Sequence, residues 1–132
     1  MIEAGRRLLR HLDTAGTVFD TAFWLLDEDV DEWRLIMASQ AVRTDGPKIL
    51  YHKVNQALSA LDLTGILSID MVSIVNDQFP LVERLIGVLG TASSVDGLRL
   101  DNATVDGMRL PGCLLYRLTP KQMVSVGRPE TQ

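Results

Sequence analysis

The sequence predicts an α+β fold: a mainly antiparallel sheet of about five strands with helices packed on it, in the order α-β-β-α-β-α-β-β. Three observations carry that expectation. Two apolar runs flank an acidic stretch as the arms of a hairpin, Asp45-Gly46-Pro47 opens an amphipathic helix, and the last third breaks into short alternating segments separated by turn residues.

The elements follow in chain order. Residues 3–13 place Ala4, Leu8 and Leu12 on one helical face with Leu9 beside it. Arg6, Arg7 and Arg10 cover the remainder, and Thr14 to Gly16 end the pattern. In VFDTAFWLL, residues 18–26, Ala22, Trp24 and Leu26 alternate with Phe23 and Leu25, so both faces are apolar. That pattern suits a strand covered on both sides, and a short helix also satisfies it. EWRLIMA, residues 32–38, sets Trp33, Leu35 and Met37 on one side of a strand and Glu32 and Arg34 on the other, leaving the acidic stretch between the two runs as a hairpin loop.

Proline at the first helical position gives up only an amide that would lack a partner anyway, so a helix starts at Pro47. Its apolar stripe is Leu50, Val54, Ala57, Leu58 and Leu61; Lys48, His52, Asn55 and Ser59 fall outside it, and Gly65 lies where the chain must turn. SIDMVSIV, residues 68–75, is rich in β-branched residues and reads as a buried strand carrying Asp70. Pro80 then opens a helix with Leu81, Leu85, Val88 and Leu89 on one stripe, ended by Gly90. GLRL, a turn at Asp106-Gly107 and MRLPGCLLYRL supply two or three antiparallel strands. Residues 1–119 therefore form a single domain, and 120–132 are too poor in apolar residues for an element of their own, as in a tail or an arm that packs on a partner.

Composition bounds the function. A chain of 132 residues, 46% hydrophobic and 23% charged, buries a core without a disulfide or a structural metal. No stretch approaches the roughly 18 uninterrupted apolar residues of a membrane span. The first residues lack the apolar run and cleavage site of a signal peptide, so the start reads as native. Cys113 is the single cysteine, which excludes an internal disulfide and suits a reducing compartment; the expected location is the cytoplasm, with no membrane partner. A formal net charge of −4 disfavours nucleic acid without excluding a local basic face.

Asp27, Asp29 and Asp31 match the first, third and fifth positions of an EF-hand loop, but Glu32 stands where that loop needs glycine and Ala38 where it needs a bidentate glutamate. A solvated hairpin turn is the better reading. Cys113, in PGCLLYRL, has the surroundings of a buried thiol rather than of a nucleophile activated by His11 or His52. Two histidines and one cysteine without paired spacing do not make a zinc site, so neither metal nor cofactor is expected. No GxSxG, Walker, GxGxxG, HExxH or acid-x-Lys pattern occurs, and Asp70 has no identifiable catalytic companion. Arg6, Arg7 and Arg10, joined by His11, form a basic ridge that suits a solvated face or an acidic loop of a neighbouring subunit better than nucleic acid, because no aromatic side chain interleaves with it. Trp24 and Trp33 are core residues first and interface residues if exposed.

The run from FW through DEWRLIMAS to GPKILY, with the later CLLYRL, resembles a group of small bacterial proteins of uncharacterised activity. The shared residues are Phe23, Trp24, Glu32, Trp33, Arg34, Ser39, Gly46, Pro47, Tyr51, Tyr116 and Arg117. The resemblance spans most of the chain and implies no activity. Packing and helix initiation account for Trp33, Pro47 and Tyr116, whereas Arg34, Ser39, Tyr51 and Arg117 are expected to form a binding cluster if they converge.

The function expected from these readings is a non-enzymatic protein-interaction module, self-associating as a homo-oligomer, with Arg6, Arg7, Arg10, Trp24 and Trp33 as candidate interface residues. One alternative is an enzyme or accessory subunit of a bacterial nucleic-acid-handling or defence system, in which Arg34, Tyr51 and Arg117 line an anion-binding cleft. Another is nucleic-acid binding through the N-terminal arginine helix.

Overall fold

A computed structural model describes residues 2–76, 79–89, 97–105 and 107–118. The elements are α1 (Ile2–Thr14), β1 (Thr21–Asp27), β2 (Glu32–Ala38), α2 (Ala41–Asp45), α3 (Pro47–Ala60), a 3-10 turn (Ile69–Met71), β3 (Val72–Val75), α4 (Pro80–Leu89), β4 (Leu98–Val105) and β5 (Met108–Leu118). The class is α+β. The segment 120–132, the Gly90 stop and the Asp106 turn lie outside the described residues.

The five described strands form one mixed sheet in the order β3-β2-β1-β5-β4. β1 pairs antiparallel with β2 from Thr21 opposite Ala38 to Asp27 opposite Glu32, so the acidic stretch is the hairpin loop. The β4–β5 hairpin docks antiparallel on the other side of β1, while β3 runs parallel to β2. A parallel neighbour requires a crossover, and α2, α3 and the 3-10 turn supply it.

Alternation along the strands makes two cores. Ala22, Trp24, Leu35, Met37, Val72, Ile74 and Leu114 face α1 and α3, whose Leu8, Leu12, Leu50, Val54 and Leu58 close that side. Phe23, Ile36, Ala38, Cys113 and Leu115 face Leu81, Val82 and Leu85 of α4. With helices on both faces, β1 is apolar on both sides, which is why 18–26 showed no polar alternation. The strand itself begins at Thr21; Phe19 is buried ahead of it and Val18 is exposed.

Two expectations are corrected. The segment 68–75 is a strand only from Val72: the 3-10 turn takes Ile69–Met71 and holds Asp70 exposed at the surface instead of on the strand. A short helix, α2, precedes α3, with Gly46 at φ +86° turning the chain between them. Trp24 takes the core place expected of it first, being 1% exposed at the centre of the larger core, so the condition for an interface role, exposure, is not met in this chain.

The β1–β5 pairing carries the detail that matters most for the candidate residues. Phe23 opposes Leu115 but Ala22 opposes Arg117, so Tyr116 is an extra residue in β5. Such a bulge re-aims side chains. Consecutive residues Tyr116 and Arg117 both bond to α1, at its two ends: the Tyr116 hydroxyl donates to the Ile2 carbonyl at 2.6 Å, and the Arg117 guanidinium donates to both Asp13 carboxylate oxygens at 3.0 and 2.8 Å.

Candidate functional site

The four residues expected to converge fall into two pairs with separate duties. Arg34 and Tyr51 both secure β3. Arg34 donates from Nε and Nη2 to the Ser73 hydroxyl at 3.1 and 2.9 Å, on the α4 side of the sheet by alternation with Ile36 and Ala38. Tyr51 reaches from α3, on the opposite side, and its hydroxyl accepts the Ile74 amide at 2.9 Å. Ser39 and Arg117 both secure the α1–β1 loop. The Ser39 hydroxyl donates to the Val18 carbonyl at 3.4 Å and accepts the Ala41 amide at 3.1 Å; Arg117 donates to the Phe19 carbonyl at 3.3 Å besides gripping Asp13. These bonds make the four residues joints between elements.

The remaining candidates resolve similarly. Cys113 is fully buried, and burial pushes its thiol up to about 12, so it remains protonated and unreactive at neutral pH. His52 is exposed on the outer side of α3. Among the described residues, no group of three or more His, Cys, Asp or Glu side chains is placed to hold a metal ion. In the acidic loop, the Asp29 amide donates to the Asp27 carboxylate at 3.1 Å, Asp31 has φ +54°, and Glu28 pairs with Arg109 at 2.7 Å. Trp33 is half-buried and lies across the sheet over Gly112, where a Cβ would approach its ring to 2.8 Å. Of the ridge, Arg7 and Arg10 are exposed, while Arg6 is half-buried, 5.8 Å above the Tyr116 ring and 3.9 Å from Glu3.

Of three clefts among the described residues, none is lined by more than one of the four. One of about 320 Å³ is lined by Glu32, Trp33, Arg34, Ser68, Asp70 and Met71. It joins Arg34 to Asp70, but the guanidinium is held by Ser73 and two carboxylates flank the opening, an arrangement unfavourable to an anion. A second, of only about 70 Å³, lies among Arg6, Leu9, Arg10, Tyr116 and Arg117.

The third, also about 320 Å³, is a groove between α1 and α3. Leu12 and Ala57 form its floor, Ala15 and Ala60 keep its ends low, and His11, Lys53 and Gln56 stand on the rim with Thr17. Ile49, 49% exposed, is one helical turn before Lys53 and prolongs the apolar strip along α3. Reading from sequence missed this groove. Its signal was the run Ile49, Lys53, Gln56 and Ala60 at helical spacing on the side of α3 away from Leu50 and Leu58. No helix among the described residues is long and apolar enough to cross a membrane. Comparison of the chain with protein-family models, curated proteins and solved structures finds no match in any of the three.

Proposed function

We propose that this chain is a non-enzymatic protein-interaction module that self-associates in the cytoplasm. The observation that carries the reading is the α1–α3 groove: a shallow apolar floor of leucine and alanine between two helices, rimmed by His11 and Lys53. Such a surface suits the side chains of a docked protein segment, with the apolar floor supplying area and the rim supplying orientation. Low relief also favours it over a reacting small molecule, since chemistry requires convergent polar groups and the arginine and tyrosine candidates are engaged in holding elements together.

The two alternatives fit less well. An anion-binding enzyme would use Arg34, Tyr51 and Arg117 in one cleft, and these bond to Ser73, the Ile74 amide and Asp13 respectively. Nucleic-acid binding through α1 would rest on Arg7 and Arg10, with Tyr116, the nearest aromatic, buried beneath Arg6 and unable to stack on a base.

The test is solution mass by light scattering across a concentration series, for the full chain and for a version ending at Thr119, at low and high salt. A defined mass above the 14.6 kDa of one chain supports self-association. A full-length chain that stays monomeric up to about 1 mM, a concentration at which even weak specific contacts populate, refutes it.

A further inference from the structure

We infer that the α1–α3 groove receives the acidic β1–β2 hairpin tip of a second copy of this chain, with Val30 seated on the groove's alanine and leucine floor. This deepens the interaction-module reading and rests on it, naming the partner and both contact surfaces.

The tip is built for presentation. Val30 is 58% exposed, an apolar side chain standing clear of the sheet between Asp29 and Asp31. It is also held in place. The Asp27 carboxylate accepts the Asp29 amide, and Glu28 is gripped by Arg109 at 2.7 Å, whose guanidinium also donates to the Asn102 side-chain oxygen at 2.8 Å. The hairpin loop is thereby fastened to the neighbouring β4–β5 hairpin. A preordered loop loses little conformational entropy on docking, so a small apolar contact retains more of its free energy.

The groove complements it in shape and in charge. About 320 Å³ between small side chains leaves room for a valine and its flanking backbone. The rim carries Lys53 and His11, with exposed Arg7 one turn before His11 on the same side of α1. Facing them would be Asp29, Asp31 and Glu32, all exposed. Opposite charge around an apolar centre steers the encounter and fixes its orientation.

Topology supplies the reason for a second copy. Thr17 of the groove precedes the start of β1 at Thr21, whereas the tip follows its end at Asp27. At about 3.3 Å per residue the two surfaces are separated by some 20 Å of strand, so a chain cannot fill its own groove. Each copy carries one tip and one groove, so the contact either closes as a reciprocal, isologous two-fold pair or runs head to tail, heterologously, as a ring or a chain.

The experiment is a charge swap in the full chain, read by light scattering and sedimentation with circular dichroism to verify folding. A groove variant carries Arg7→Glu and Lys53→Glu; a tip variant carries Asp29→Lys and Glu32→Lys. All four positions are exposed, which keeps these substitutions away from the core. Each variant alone is expected to associate at least tenfold more weakly than the unaltered chain. Mixing the two should restore a complex, because the acidic groove of one then meets the basic tip of the other. Val30→Ser, which changes no charge, should weaken association at both low and high salt. An unaltered chain that is monomeric throughout overturns the self-association reading itself. An assembly indifferent to both charge variants and to Val30→Ser overturns this inference alone, and one lost only on ending the chain at Thr119 assigns the contact to the C-terminal arm instead.

Discussion

Replacing Tyr116 with phenylalanine removes one oxygen that joins three elements, and the structure sets the cost. The hydroxyl accepts the Trp24 indole N–H at 2.7 Å and donates to the Ile2 carbonyl at 2.6 Å. Trp24 is 1% exposed, so in Tyr116→Phe its N–H is stranded in the core at about 1–3 kcal/mol. The exposed Ile2 end of α1 regains water for its carbonyl, leaving a smaller loss there of roughly 0.5 kcal/mol. About 2 kcal/mol in total is expected. For 132 residues the unfolding entropy is about 0.28 kcal/mol/K, so Tm falls by roughly 7 °C. Urea unfolding, followed by the fluorescence of the two tryptophans, should show a midpoint lower by about 1 M with unchanged slope. A loss below about 0.5 kcal/mol would refute the reasoning, as that is the lower limit for a single ordinary hydrogen bond. So would an equal loss in a Trp24→Phe background, where no N–H remains to be stranded and the effect should shrink by more than half.

Three further outcomes are expected. Gly5→Ala drives a methyl into the Tyr116 hydroxyl and ring and should cost about 2–3 kcal/mol; partial recovery in a Tyr116→Phe background, measured in the same urea assay, identifies the clash as the cause. Native Cys113 should resist iodoacetamide at pH 8 and react only in urea. Burial pushes its folded thiol up to about 12, above the 9.0 of an ordinary thiol, so the unfolded state loses the proton first and stability is lost as pH rises above about 9, by up to about 1.4 kcal/mol per pH unit relative to Cys113→Ala. A stability difference between the two chains that is flat from pH 8 to 10.5 would contradict this. Tyr51→Phe deprives the Ile74 amide of its acceptor and should cost about 1 kcal/mol, with faster hydrogen exchange at Ile74 than elsewhere in the sheet.

The fold was legible wherever local chemistry agreed with burial. Asp45-Gly46-Pro47 marks the entry to α3, the Leu50, Val54, Ala57 and Leu58 stripe is its buried side, and the acidic loop marks the hairpin because so many adjacent charges belong at the surface and not in a core. Where sequence and structure part, a tertiary effect intervenes. Ile69 and Met71 have strand-like neighbours, yet the chain must turn from the crossover into a parallel register with β2, and the 3-10 turn absorbs that change of direction. The β5 bulge is invisible in CLLYRL, since alternation alone would send Tyr116 and Arg117 to opposite faces. Trp24 became a candidate interface residue because composition cannot say whether a tryptophan is covered; its partner is 92 positions away.

The same bulge explains why Tyr116 and Arg117 act as joints between β5 and α1. A mixed sheet with helices on both faces leaves its polar groups few places to go, and α1 touches the sheet through a single layer of leucine and alanine. Arg117 and Tyr116 fix that helix at both ends, and Ser39 fixes the loop that follows it. Arg34 and Tyr51 do the same for β3, a strand of four residues whose amide at Ile74 is covered by the Tyr51 hydroxyl and is thus withdrawn from pairing with another chain. At the far edge, β4 exposes Arg99, Asp101, Asn102 and Thr104, with Arg99 and Asp101 paired at 3.1 Å and Asn102 at φ +52°, a kinked and charged margin poorly suited to strand addition. With both edges of the described sheet blunted, the proposed self-association would turn away from strand pairing and toward the helical layer, where the groove between α1 and α3 offers apolar floor and cationic rim together.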